Sequence, residues 1–215
     1  MTRNFCKIWF IFFLIFIKSI SFSYSQTALV AKVSPIGIHA LNEKNQDLFD
    51  ENKIDEKGIF VVEPCFMLGT ETFLREDVFS LRFLIGGLSD AASQPAFFLH
   101  AGVKQRFTQV YRSAFAIGFG VNFYGRESWE SLDGYKSEKG WSKNGSWEYK
   151  IGALAELEYM LMLSERHDLL FSAIFGLQPR TFGLTVGYRF WLSTTIKNPK
   201  GCGSCPFQQK KWKNK

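Results

Sequence analysis

No run of 18 apolar residues occurs beyond the N-terminus of this 215-residue chain. That absence excludes a multi-pass helical membrane protein, whose spans need about 20 such residues each. Helical periodicity is missing as well: the long patterned segments repeat every two residues rather than every 3.6. The chain is nevertheless 46% hydrophobic, with mean hydropathy −0.07, which rules out a disordered or collagen-like polymer. Acidic residues are absent from the last stretch, Ser193 to Lys215, which carries six lysines. The formal charge of +6 therefore belongs to the two ends. Without Arg3, Lys7 and Lys18 it falls to +3, and without the six terminal lysines the body is near −3. The pI of about 9.1 is no sign of a basic groove, and nucleic acid is not an expected partner.

What is abundant is phenylalanine, 23 residues. Six of them crowd the N-terminus, where Arg3 and Lys7 precede ten apolar residues, Ile8 to Ile17, and a polar stretch with small residues, Ser21 to Ser25. This is the layout of a secretory signal peptide over 1–25. Ten residues as a helix span about 15 Å, half a bilayer core, so a cleaved leader is expected rather than an anchor. Ser23 and Ser25 supply small residues before a cut at Gln26. Cys6 lies ahead of the apolar run and is badly placed for a lipoprotein anchor.

Alternation runs through the mature chain. Phe115, Ile117, Phe119, Val121 and Phe123 oppose Ala116, Gly118, Gly120, Asn122 and Tyr124. Trp147 to Leu163 and Thr181 to Leu192 repeat the pattern. Successive strand side chains point to opposite faces, so each segment has one greasy face. Thr27–Ala40, Gly58–Gly69, Phe79–Gly87, Ala96–Phe107 and Asp168–Leu177 read the same way, giving eight strands. In the first, apolar parity switches near Pro35, from Leu29, Ala31 and Val33 to Ile36, Ile38 and Ala40, which predicts a bulge. Pro64 fits poorly inside the second.

The connections tend to alternate between short turns and longer polar loops, as outer-membrane barrels do. The less greasy face carries recurrent glycines and isolated charges of both signs, suited to the inside of a narrow eight-stranded barrel. The greasy face takes thirteen of the 17 phenylalanines outside the leader and suits hydrocarbon. Trp147, Tyr149, Tyr159 and Tyr188 stand near strand ends as candidate interfacial girdles. The expected fold is all-β, an eight-stranded antiparallel up-and-down transmembrane β-barrel over 26–192, followed by a basic tail over 193–215. An even strand count puts both termini on the periplasmic side. A lipocalin-like soluble carrier is the alternative, and it needs the faces reversed.

The last strand reads Thr185-Val-Gly187-Tyr-Arg-Phe190-Trp-Leu192. This polar-x-Gly-x-x-apolar-x-apolar pattern resembles the C-terminal strand signal read by the outer-membrane barrel assembly machinery. With the leader and the eight strands, the chain resembles a small bacterial outer-membrane barrel of the OmpA, OmpX and PagP kind. The resemblance is architectural, covers Thr27 to Leu192, and departs from the common form in the residues that follow. It implies outer-membrane lipid, lipopolysaccharide and the assembly machinery as partners, and a structural, adhesive or narrow-pore role.

Candidate chemistry is sparse. The inward face holds Arg82, His100, Lys104, Arg106, Lys150 and Arg189 against Glu63, Glu156 and Glu158. These either line a polar pore or pair across a packed lumen; pairing is expected, because an unpaired buried charge is very costly. His39, Ser89 and Asp90 fall near the outer rim, and a His, Ser and Asp there resemble the apparatus of lipid A acyltransferases and deacylases. No deacylase-like His-x-Ser-Asn run occurs, however, since His100 is followed by Ala101 and Gly102. Cys202 and Cys205 form a C-x-x-C without a βαβ context and are expected to close a local disulfide in an oxidising compartment. Two thiolates are half a tetrahedral zinc site, so neither metal nor cofactor is expected. Cys65 reads as a small inward hydrophobe. The Lys210–Lys215 tip is either a solvated tail or a contact for anionic headgroups or peptidoglycan.

Overall fold

A computed structural model describes residues 26–39, 44–56, 59–75, 78–177 and 180–192. Eight long strands, numbered here along the chain, form the wall: β1 (Gln26–His39), β2 (Cys65–Arg75), β3 (Phe79–Ser89), β4 (Pro95–Val110), β5 (Ser113–Glu127), β6 (Trp147–Met162), β7 (His167–Leu177) and β8 (Arg180–Trp191). Each pairs antiparallel with its sequence neighbours. β8 returns to β1 through pairs from Ala28↔Trp191 to His39↔Thr181, so the sheet closes. Closure leaves no long edge with unpaired backbone groups, which is what a bilayer demands. At 11 to 16 residues the strands are long enough to cross hydrocarbon when tilted.

The faces divide as the alternation predicts. Phe66, Leu68, Phe83, Ile85, Phe119, Val121, Ile151 and Leu184 are exposed on the outside, while Lys32, Glu71, Arg82, Glu158 and Arg189 are buried inside. Water would reverse that division, so the soluble-carrier reading fails on this surface. The bulge expected near Pro35 is present: pairing with β8 jumps from Val33↔Val186 to Ile36↔Leu184. Ser34 Oγ donates to the Leu184 carbonyl at 2.9 Å across this gap.

The second strand corrects the sequence reading. It runs over Cys65–Arg75, not Gly58–Gly69. Pro64 has no N–H to give a ladder and lies just before the strand; Phe60–Val61 only pairs briefly with Gly37–Ile38. The true end is hidden because Thr70 and Thr72 interrupt the apolar parity set by Phe66 and Leu68. Thr72 lies opposite Thr27 of β1, and their hydroxyls are 3.4 Å apart.

Aromatic rings gather in two outward-facing bands. Phe97 contacts Phe123, Trp147 and Tyr149 toward the long-loop end. Phe107, Phe115, Tyr159 and Phe171 form a chain of contacts at the short-turn end, where His167 also meets Tyr188 and Phe190. These are the positions of interfacial girdles. The long loops fold into a cap: Phe49, Val61, Ala91, Ala92 and Trp129 bury together, with Leu48, Leu132 and Tyr135 against them.

Candidate functional site

The lower lumen is filled by charge. Lys32, Arg82, Lys104 and Arg189 meet Glu71, Glu156, Glu158 and Asp168, and all eight are buried. Antiparallel register places some partners side by side: Glu71↔Arg82, Asp168↔Arg189 and Glu158↔Ser172 are direct cross-strand pairs. The others meet across the lumen. Lys32 Nζ donates to Glu156, to Glu158 Oε2 at 2.5 Å and to Ser172 Oγ at 2.7 Å. Arg82 donates to Glu156, to Glu71 Oε2 at 3.0 Å and to Glu158 Oε2 at 2.8 Å. Lys104 Nζ donates to Glu71 Oε2 and Glu158 Oε1, both at 2.7 Å. Arg189 Nη2 donates to Asp168 Oδ2 at 2.8 Å.

Four cations thus face four carboxylates, all 5% exposed or less, and each ion is stabilised by two or more neighbours. That is the condition under which buried charge is tolerated. Beneath the network, Phe73 stacks on Trp191 at 4.8 Å between ring centroids, and Trp191 Nε1 donates to Asp168. The apolar exterior and ionic interior together decide the solvent on each side. The chain is a transmembrane β-barrel.

The barrel has a different upper lumen. A cavity of about 180 Å³ lies between the ion network and the loop cap. Met67, Leu84, Phe98, Leu154 and Ile174 give it apolar walls, and His100, Asn122 and Thr185 add polar groups. Glycine makes room for the His100 ring: a Cβ on Gly120 would come within 2.5 Å of His100 Cε1. At the roof the Arg126 guanidinium is held between Trp129 and Trp141, 3.9 Å from each ring centroid, and Nε donates to Glu148 Oε2 at 3.1 Å. Such stacking holds a cation firmly where water is scarce. Asp90 accepts from Trp129 Nε1 at 2.8 Å. Burial raises the Asp90 carboxyl above the usual range, against the lowering effect of that hydrogen bond.

The candidates read from sequence separate into groups. Arg82, Lys104, Glu156, Glu158 and Arg189 belong to the lower network. Glu63 lies before β2, near the long-loop end, where its carboxylate is 3.1 Å from His39 Nε2. His100 faces the cavity. Arg106 Nη1 donates to Gln109 Oε1 at 2.5 Å near the short-turn end. Lys150 reaches toward Trp141, with Nζ 5.1 Å from the ring centroid. His39 meets Glu63, while Lys53 Nζ donates to Ser89 Oγ at 2.6 Å and to the Asp90 carbonyl at 3.0 Å, and the Asp90 carboxylate accepts from Trp129.

In the final strand Thr185 and Gly187 face inward, while Leu192 is exposed. Phe190 packs outward on His167. Cys202 and Cys205, the leader and the basic tail lie outside the described residues. Among those that are described, Cys65 is a free thiol lining the cavity.

Sequence reading missed Lys32, Glu71 and Asp168. The even-numbered parity of Ala28, Val30 and Lys32 was available as a signal. Glu71 was lost with the misplaced end of the second strand. Asp168 stood at a strand boundary, where facing is hardest to assign.

No protein-family model matches the chain, and no curated protein matches it. Among solved structures it is similar to the N-terminal β-barrel domain of Pseudomonas aeruginosa OprF, with 10% identity and a TM-score of 0.49, over 78% of this chain and 99% of that one. It is also similar to Neisserial surface protein A, with 10% identity and a TM-score of 0.49, over 77% and 96%. Ail, the attachment invasion locus protein of Yersinia pestis, is similar at 13% identity and a TM-score of 0.37, over 77% and 97%.

Proposed function

We propose that this chain is an integral protein of the bacterial outer membrane that neither catalyses nor conducts, and that it has a structural or adhesive role at the cell surface. The observation that carries the reading is the ionic plug. Glu71, Glu158 and Arg189 have no exposure, and Lys32, Arg82, Lys104 and Glu156 have at most 5%. An ion entering from above would have to displace several charge-assisted bonds at once, each among the strong class of hydrogen bonds. The folded cap supports a role for the outer end, because its own small core holds the loops in one arrangement. The pairing of His39 with Glu63, and of Ser89 with Lys53, favours a non-catalytic reading over lipid A acyl chemistry.

In this reading the short turns and both chain termini of the barrel face the periplasm. The leader routes the chain across the inner membrane, and the Thr185–Leu192 pattern is read by the assembly machinery. Lipid and lipopolysaccharide surround the wall, and the lysine-rich tail touches peptidoglycan or anionic headgroups. The deciding experiment is planar-bilayer recording of refolded protein, with its folding checked by a heat-modifiable gel shift. No discrete current steps are expected. Regular ohmic steps from folded protein would overturn the reading.

A further inference from the structure

An eight-stranded barrel is ordinarily filled by its own side chains. Here the lower lumen is filled, yet the upper one retains about 180 Å³. For comparison, an apolar cavity of about 150 Å³ is enough to hold benzene. Size alone therefore admits one ring with a small substituent.

The lining gives that occupant a chemistry. His100 Nδ1, Asn122 Oδ1 and Thr185 Oγ1 are buried atoms without a hydrogen-bond partner, and all three residues border the cavity. His100 and Thr185 are only 5% and 3% exposed. A buried polar group left in this state is destabilising. Three around one space are an unusual concentration, since such groups are few in a native protein. His100 and Asn122 are direct cross-strand neighbours on β4 and β5, whereas Thr185 is on β8. Polar groups thus border the space from two parts of the wall, with Leu84, Leu154 and Ile174 among its apolar lining.

The charged groups on the lining already have counter-charges or hydrogen bonds of their own. Glu156 is already paired with Lys32 and Arg82, Glu63 with His39, and Arg126 with Glu148. An ionic guest would have to be stripped of water without gaining an unpaired counter-charge. One cationic atom on the lining, Arg126 Nη2, also lacks a hydrogen-bond partner, but it lies 3.9 Å from Glu138 Oε2 and its guanidinium is already bonded to Glu148. The unpartnered atoms of His100, Asn122 and Thr185 belong to neutral groups.

We propose that the upper lumen is a binding site for a small uncharged amphiphile: one apolar ring carrying a hydroxyl, held between the aliphatic walls and hydrogen-bonded by His100, Asn122 or Thr185. The ring replaces missing packing, and the hydroxyl, both donor and acceptor, satisfies groups that the chain leaves unpaired. The site touches the ionic plug at Glu156 but needs none of its bonds broken, so it stands or falls apart from the absence of conductance.

Phenol is the probe, and benzene is its control without a hydrogen-bonding group. Protein refolded in lipid nanodiscs, with methyl-labelled leucine, is titrated by NMR. Phenol is expected to shift the Leu84 and Leu154 methyls saturably, while the lipid-facing Leu157 moves only linearly. Benzene should bind about 3- to 10-fold more weakly, the worth of one net hydrogen bond. Thr185→Val and Asn122→Leu should bring phenol toward the benzene value. Leu154→Trp should fill the space and abolish saturation at Leu84, with a normal heat-modifiable gel shift as proof of folding; Leu84→Phe, read at Leu154, repeats the test should that variant not fold. Linear shifts alike at Leu84 and Leu157, equal affinity for the two probes, or binding that survives both filling variants would overturn the proposal.

Discussion

Arg82 on β3 and Glu158 on β6, 76 residues apart, meet across the lumen: Nη2 donates to Oε1 at 2.9 Å and to Oε2 at 2.8 Å. The same guanidinium also serves Glu71 and Glu156, so it is shared by three carboxylates. Arg82→Met leaves those carboxylates short of a cation in a buried site. A loss of about 3–5 kcal/mol in folding stability is expected. Arg82→Lys keeps the charge but not the planar fork, and should lose less. Urea unfolding of the refolded barrel in detergent checks both.

Gly187 faces the stem of Lys32. A Cβ there would lie 2.5 Å from Lys32 Cγ and 2.9 Å from the Ala31 carbonyl oxygen. Gly187→Ala should cost about 1–3 kcal/mol through overpacking. Refolding from urea without any assembly machinery separates this packing effect from a loss of recognition in the cell. A defect in that purified system is the expected result.

Trp191 closes the base, stacked on Phe73 and bonded to Asp168. Trp191→Phe preserves an aromatic ring there and removes the N–H. The expected cost is about 1–3 kcal/mol, the penalty of a buried polar group losing a partner. Trp191→Ala should cost about 3–5 kcal/mol, because a large side chain is lost as well. Equal losses for the two variants would assign the whole effect to the indole N–H.

Asp90 gives the cap a pH response. Burial holds its carboxyl above its ordinary 3.8, with the Trp129 bond and the charge of Arg126 opposing that rise and Glu63 adding to it. The folded cap therefore binds this proton more tightly than the open one. Its contribution to stability is present below pH 3.8 and lost as the pH rises through the raised value. Asp90→Asn should flatten this component of the pH profile. Hydrogen exchange of the cap amides from pH 3 upward, compared with the wild type, checks the slope.

Lipid A supplies the test of the catalytic alternative. Its acylation pattern should be the same in cells producing the wild-type chain, His39→Ala or Ser89→Ala, and in cells lacking the chain. Mass spectrometry of extracted lipid A is the measurement. A change present with the wild type and absent with both variants would restore the enzyme reading.

The wall was legible in the sequence because alternation is local: Phe115 to Tyr124 shows its two faces without knowledge of any partner. The bulge at Pro35 was legible for the same reason, since a slip of parity marks an extra residue in the strand. The second strand was harder. Its outward threonines carry no apolar signal, and only pairing with Phe79–Ser89 reveals where it runs. Of the candidate site, the residues that could be assigned to the lumen from sequence were those on long, regular strands. Lys32, Glu71 and Asp168 sit on irregular or terminal stretches, where one residue of uncertainty changes the face.

The sequence by itself determined that there would be strands, which faces are greasy, and how aromatic residues mark the membrane boundaries. Those properties follow from the two-residue period and the chemistry of each side chain. Only the tertiary structure decided which charges meet and where the lumen is left open. Lys32 reaches Glu158 through a 126-residue separation, and the direct pairing of β1 with β8 brings the first strand beside the last. Strand stagger and closure set these neighbours, and neither is encoded in any one segment. The same closure gathers neutral polar atoms from β4, β5 and β8 around one cavity while the ionic groups below it neutralise one another.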